Sequence, residues 1–319
     1  MIDQLLNHPA VKSQPPVLID IGASGKIHRN WRKIARHSIC VAFEADTRDF
    51  GYVVNESGNY KKLYVYNCIV SDKTDATTDF HLTKSPHCSS VLEPDLEGLS
   101  NMAWAERFVV DRIVKLPSKD LYAVLNELNI SYVDWFKTDS QGLDMRLFKN
   151  MGTERIKNVL VAEFEPGLID AYKGEDKMHS LIAYMESLKT FWISDFIVKG
   201  TAHISPALVK SLSGNTALRK LKMFSIKNSP GWGELTYMNY LNAPAVSKRD
   251  YLVGISFGLI LKQYGFVLDR AMKAAVLFPE EPLFKSVQQH AKSKITGSLL
   301  TLGFFHAVKT RVKQLFDLA

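Results

Sequence analysis

The sequence predicts an α/β protein of the Rossmann-like type. It calls for a central, mostly parallel sheet with helices on both faces, followed by a C-terminal helical extension. Three observations carry this expectation. Short apolar runs alternate with helical patterns through the first 200 residues, the mark of repeated β-α units with right-handed crossovers. The first run, Val17–Leu18–Ile19–Asp20–Ile21, passes straight into a glycine-bearing turn, Gly22–Ala23–Ser24–Gly25. A second acid, Glu44, ends the next apolar run 24 positions after Asp20. An acid about 20 residues beyond a Gly-rich first turn is where such a fold grips ribose hydroxyls, so a nucleoside-containing cofactor is expected in the N-terminal part.

Strands are predicted at 17–21, 40–44, 63–70, 132–138, 158–164 and 191–198, each a short apolar or β-branched run between polar or turn residues. Helices are predicted at 29–37, 47–56, 118–128, 141–150 and 176–188. The last places Met178, Leu181, Ile182, Met185 and Leu188 on one face. Residues 71–100 are polar and rich in Ser, Thr, Asp and Pro, and read as a long loop over the ligand-binding edge. Beyond 200 the rhythm changes. Residues 205–222 read as helical and basic, Gly231–Trp232–Gly233–Glu234 leads into a last strand to Leu241, and 248–319 read as helices only, broken near Pro279–Pro282 and Gly297. The expected division is therefore 1–244, with a helical insertion at about 201–231, and a basic helical extension at 245–319.

Composition narrows the class. At 319 residues, 46% apolar and 23% charged, the chain has ordinary globular material for one large domain or two smaller ones. Cys40, Cys68 and Cys88 are odd in number and lack C-x-x-C spacing, which argues against a disulfide framework or a zinc ribbon. Residues 1–16 lack the apolar core of a secretory signal. The longest apolar run, Tyr251–Leu261, is too short to span a bilayer as a helix, so a cytoplasmic, soluble or membrane-peripheral protein is expected. The net charge of +7 is uneven: residues 200–319 hold 16 Lys/Arg against 6 Asp/Glu, leaving −3 for the rest. This asymmetry fits either an anionic partner or a solvated basic face.

The first turn distinguishes two ligand chemistries. Dinucleotide sites usually carry G-x-G-x-x-G, which brings backbone close to a pyrophosphate at a helix N-terminus. Gly22–Ala23–Ser24–Gly25–Lys26–Ile27 lacks that spacing. A carboxylate at Asp20 would repel a pyrophosphate but suits the cationic amino group of S-adenosylmethionine.

Five stretches together resemble the FkbM-type S-adenosylmethionine-dependent methyltransferases. They are Val17–Gly25, Val41–Asp46, the His87–Pro94 stretch with its Ser-Ser pair, Val133–Gly142, and Val161–Glu165 with Tyr172–Lys173–Gly174 after it. The resemblance covers roughly residues 15–200 and the strand ending at Leu241. Two positions depart from it: Lys26 stands where many members have a further glycine, and Asp144 where the family usually has Glu. The resemblance implies a class I methyltransferase fold and methyl transfer, usually to a hydroxyl oxygen of a sugar or natural product. The expected acceptor is a glycan or a glycosylated small metabolite. The cofactor-binding residues it implies are Asp20, Gly22, Ala23, Ser24, Gly25, Glu44 and Ala45, with Asp72 at the adenine amino group or as a plain turn residue.

A hydroxyl acceptor is helped by a general base. Asp139, at the end of the fourth strand, is the first candidate, and its alternative role is to cap the helix beginning near Gln141. His87 is the second candidate base, and His28 follows the first turn. Ser89, Ser90 and Gln141 are candidates for contact with the acceptor, the serines equally as turn residues. Asp139 with Glu163 or Glu165 could also share a divalent cation. Residues 299–316 place Leu299, Leu302, Phe305 and Phe316 among His306, Lys309, Arg311 and Lys313. Such a helix either lies on an anionic membrane or packs on protein. Nothing resembles a nucleic-acid module. The competing readings are a non-catalytic binding or scaffold protein acting at a membrane or in a complex, and an NAD-type oxidoreductase.

Overall fold

A computed structural model describes residues 1–22, 27–46, 59–73, 76–242, 246–298 and 308. The chain divides into two compact units, Pro15–Tyr240 and Met1–Gln14 together with Leu241–Ala319. The short N-terminal helices α1 (Ile2–Leu6) and α2 (Pro9–Ser13) therefore belong with the C-terminal helices.

Among the described residues of the larger unit, seven strands form one sheet. Its order is β3 (Lys62–Tyr66), β2 (Ile39–Phe43), β1 (Val17–Ile21), β7 (Trp135–Thr138), β8 (Val161–Phe164), β10 (Asn228–Asn239) and β9 (Phe191–Ala202). The pairings from β3 through β8 are parallel, and β10 runs antiparallel to both β8 and β9. Three strands on one side of a switch point and a reversed strand near the far edge make this the class I methyltransferase topology that the sequence predicts. Strand β1 is buried at all five positions, as a strand covered on both faces must be. One face packs on the core through Ile19, Ile21, Phe136, Ala162 and Phe164. Each fully buried Ile or Phe side chain among them contributes about 1.5–3 kcal/mol. Around this core lie α3 (Leu121–Glu127), α4 (Asp144–Asn150), α5 (Thr153–Ile156) and α6 (Met178–Ser187). The connection from β9 to β10 carries α7 (Pro206–Ser211) and α8 (Thr216–Phe224).

Three expectations need revision. The strand predicted at 63–70 is two strands. The chain leaves the main sheet after Tyr66, and β4 (Ile69–Ser71) joins a second sheet in the order β4, β6 (Val110–Asp120), β5 (Thr77–Thr83). Residues 71–100 are therefore not one long loop. Strand β5 hides Phe80 and Leu82 among polar neighbours, and β6 carries five charged residues in eleven and Pro117, so neither reads as an apolar run. The predicted helix at 29–37 is a pair of 3-10 turns, Arg29–Lys33 and Ala35–His37. The predicted helix at 47–56 lies outside the described residues.

The smaller unit centres on α9 (Lys248–Ile260), which α1, α2 and α10 (Tyr264–Leu277) contact; α11 (Leu283–Ser298) packs on α10. Helix α9 begins in a reciprocal capping box between Ser247 and Asp250. It is buried almost all round, which is why the Tyr251–Leu261 stretch has no polar face. No helix among the described residues is long and apolar enough to cross a membrane.

Candidate functional site

Parallel register arranges the strand ends in rows across the sheet. Leu18, Trp135 and Val161 form an apolar row. Two residues further along each strand, Asp20, Lys137, Glu163 and Thr236 stand side by side. One step beyond lie Gly22, Asp139 and Glu165, just past the ends of β1, β7 and β8. The first polar row is sealed, and the second opens toward ligand.

In the sealed row Asp20 is fully buried. Its Oδ1 lies 3.1 Å from Lys137 Nζ, and its Oδ2 accepts the His28 backbone N–H at 2.9 Å. Lys137 also donates to the Gly22 carbonyl at 3.1 Å. Burial alone would lower the Lys137 ammonium, but Asp20 and then Asp139 outweigh it and hold the group above its ordinary value. Burial pushes the His28 imidazole down to about 4, against the opposing pull of Asp20. Burial likewise pushes Glu163 up to about 8. His28 Nε2 and Glu163 Oε2, 3.2 Å apart, therefore meet at neutral pH as a neutral imidazole and a protonated acid.

Asp20 lines neither of the two cavities described below, and Lys137 meets its charge. It joins the His28 backbone to β7. A divalent cation between Asp139 and Glu163 or Glu165 is not supported. Among the described residues no group of three or more His, Cys, Asp or Glu side chains is gathered for a metal, and the Lys137 ammonium already supplies positive charge between Asp20 and Glu163.

The open row borders two cavities. The first lies over the β1 and β2 ends and is lined by Gly22, Phe43, Glu44, Ala45, Asp46 and the Cys68–Val70 stretch, among others. Gly22 is required here. Its φ is +76°, and a Cβ would stand 2.4 Å from the Asp139 carbonyl oxygen. Glu44 Oε1 accepts the Asp46 backbone N–H at 2.8 Å, which orients the carboxylate just past β2. Ala23, Ser24 and Gly25 lie outside the described residues. Asp72 is exposed beyond β4 and does not line this cavity.

The second cavity lies toward β8 and β10. Trp104, Phe108, Tyr172 and Trp232 wall it, with Glu165, Glu175 and Arg107 as charged members. Trp104 packs on Phe108 at 4.8 Å and edge-on to Trp232 at 6.0 Å, and Phe108 meets Tyr172 at 5.5 Å. His87, Asp139 and Gln141 line both cavities.

That junction is held from several directions. Gln141, with φ of +55°, donates from Nε2 to Asp139 Oδ1 at 2.6 Å. Tyr172 Oη lies 2.9 Å from both Gln141 Oε1 and the Cys88 carbonyl. Asp139 does not cap a helix, since α4 begins at Asp144 with Leu143 before it. Asp144 itself is a buried acceptor. It takes the Ser140 N–H at 3.1 Å, the Ser140 hydroxyl at 2.5 Å, the Thr138 hydroxyl at 3.2 Å and the Glu165 N–H at 2.6 Å. One carboxylate thus fixes the ends of β7 and β8 together, although burial still raises it to about 6. Burial, and then the neighbouring Asp139, push Glu165 up to about 9. Ser89 lines the first cavity while its Oγ accepts the Thr83 N–H at 3.1 Å. Ser90 donates to the Gln141 carbonyl at 2.8 Å and accepts the Leu92 N–H at 3.0 Å, so it holds the loop onto the junction.

Sequence reading gave no role to Lys137, Trp104, Phe108 or Trp232. A lysine inside Trp135–Phe136–Lys137–Thr138 is the one signal available beforehand, because a charge in a buried strand requires a partner. The aromatic wall comes from segments far apart in sequence and leaves no local pattern.

No protein-family model and no curated protein matches the chain. Similar solved structures include the precorrin-6Y C5,15-methyltransferase of Geobacter metallireducens, at 9% identity over 74% of this chain and 85% of that one, with a TM-score of 0.29. The tRNA m1A22 methyltransferase TrmK of B. subtilis is 7% identical over 92% and 94%, with a TM-score of 0.31. An uncharacterised protein of Listeria monocytogenes is 7% identical over 92% and 95%, with a TM-score of 0.30. At such scores the likeness carries no argument, and the class I methyltransferase fold of this chain rests on its strand order and its one reversed strand.

Proposed function

We propose that the protein is an S-adenosylmethionine-dependent methyltransferase of the FkbM type that methylates a hydroxyl oxygen on a glycan or a glycosylated small metabolite. The observation that carries this reading is the meeting of two differently built cavities at His87, Asp139 and Gln141, on the carboxyl edge of the sheet at its switch point. The cavity over β1 and β2 suits the donor. Gly22 lets the backbone turn close to β7, and Glu44 stands where ribose hydroxyls are held in this fold. Glu44, Ala45 and Gly22 would hold the cofactor. When bound, S-adenosylmethionine supplies an activated methyl group on a sulfonium.

The chain's own residues do the rest. Asp139 accepts the proton that the acceptor hydroxyl gives up, and Gln141 Nε2 orients its carboxylate. Burial and the neighbouring Asp139 hold Glu165 above the ordinary carboxylate range, which limits the negative charge the cavity gathers. Aromatic faces beside carboxylates and an amide suit a sugar, whose C–H faces stack and whose hydroxyls take hydrogen bonds. The remaining acceleration is alignment, which the Asp144 clamp on both strand ends serves.

Incubating the protein with methyl-labelled S-adenosylmethionine and a cell extract tests the acceptor class. Label is expected in glycans or glycosylated metabolites, in a form stable to mild base, as an ether is. Label in nucleic acid or in base-labile esters contradicts the reading.

A further inference from the structure

We propose that the α7–α8 hairpin between β9 and β10 is a docking surface for an anionic phospholipid bilayer. Residues 203–230 contain not one buried residue, yet they fold into two capped helices. Ser205 accepts the Leu208 N–H to start α7, and Asn215 accepts the Ala217 and Leu218 N–H groups to start α8. The hairpin therefore presents its apolar side chains outward. Leu218, Leu221 and Phe224, spaced by three on α8, are 46%, 64% and 87% exposed, and Leu208 on α7 is 58% exposed. Helices so short gain little from propensity alone and usually rest on a covering surface.

The charge around them identifies what covers it. Residues 196–233 hold six Lys/Arg and no Asp or Glu; Lys199 and Lys210 pair with Glu234 and Glu106 outside the stretch. Arg219 and Lys220 lie on α8 between Leu218 and Leu221, and Lys222 between Leu221 and Phe224. Apolar side chains interleaved with charges of one sign match a bilayer that offers hydrocarbon beneath anionic headgroups. A protein partner would ordinarily meet such charges with its own carboxylates around a drier centre. The placement is also apt: β10 carries Trp232 into the second cavity, so the surface would bring that cavity to the membrane.

Vesicle co-sedimentation of the full chain tests this, using phosphatidylcholine alone and phosphatidylcholine with about 30% phosphatidylserine. Binding to the anionic vesicles is expected, weakened by salt, and reduced more than about tenfold in L221E/F224E. These side chains are exposed, so thermal unfolding should be unchanged; R219E/K220E provides a second variant should the first misfold. Equal binding of wild type and L221E/F224E overturns the proposal, as does wild type that ignores the anionic lipid. A self-association seen by size exclusion and abolished in L221E/F224E, without lipid binding, would assign the surface to a second copy instead. The readout is lipid binding, not methyl transfer, so its failure leaves the catalytic reading standing.

Discussion

Asp20 and Asp139 stand near the carboxyl ends of neighbouring parallel strands, and their surroundings oppose each other. Asp20 is buried, paired with Lys137 and bonded to the His28 N–H. Asp139, in the next row along the strands, lines two cavities and is steadied by Gln141. The same residue type at the same edge of one sheet is buried and ion-paired in one place and lines two cavities in the other. The difference lies in two residues of strand length on one sheet face and in Lys137, which serves the inner row. Position at the carboxyl edge locates the site, and the row within that edge decides which acid can act.

The largest effect expected is on turnover. Asp139→Asn should lower turnover by about 10²–10⁴-fold with little change in stability, read by single-turnover kinetics and thermal unfolding. Unaltered turnover would place Asp139 with Asp20 among the structural acids. Next comes stability. Asp20→Ala strands Lys137 in a buried site and should cost about 3–5 kcal/mol by denaturant unfolding. Asp20→Asn combined with Lys137→Met should recover part of that loss. A stability change near zero in Asp20→Ala would break the contrast between the two rows.

A smaller effect concerns protons. Burial raises Glu163 to about 8, so the folded state keeps a proton that the unfolded chain releases near its ordinary 4.5. The sign follows directly: this contribution is fully present below 4.5 and is lost as pH rises through about 8. Glu163→Gln should flatten the fall in stability across that window, by at most about 1.4 kcal/mol per pH unit. An identical slope in the variant would show that Glu163 does not hold this proton.

Much of the fold was legible because it is written locally. Strands β1, β2, β7 and β8 are apolar runs between turn signals, and α6 carries its stripe at helical spacing. The second sheet was not, because β5 and β6 pair with each other and leave much of their length exposed. Of the residues that line the first cavity, Gly22, Glu44, His87, Asp139 and Gln141 lie in stretches that a motif marks. The role of Asp20 was not, because it depends on Lys137 across 117 positions of sequence, which only strand register brings beside it. The aromatic wall was hidden for the same reason: Trp104 and Trp232 meet through the fold alone.

In the proposed function the cavity at the ends of β1 and β2 holds the methyl donor while Asp139 faces the acceptor. Calorimetric titration with S-adenosylhomocysteine tests it most directly. Binding is expected to the wild type, weakened about 10- to 100-fold in Glu44→Ala and left within about twofold in Asp139→Asn. Binding of NAD in its place, or an affinity for S-adenosylhomocysteine that Glu44→Ala leaves unchanged, would contradict the account.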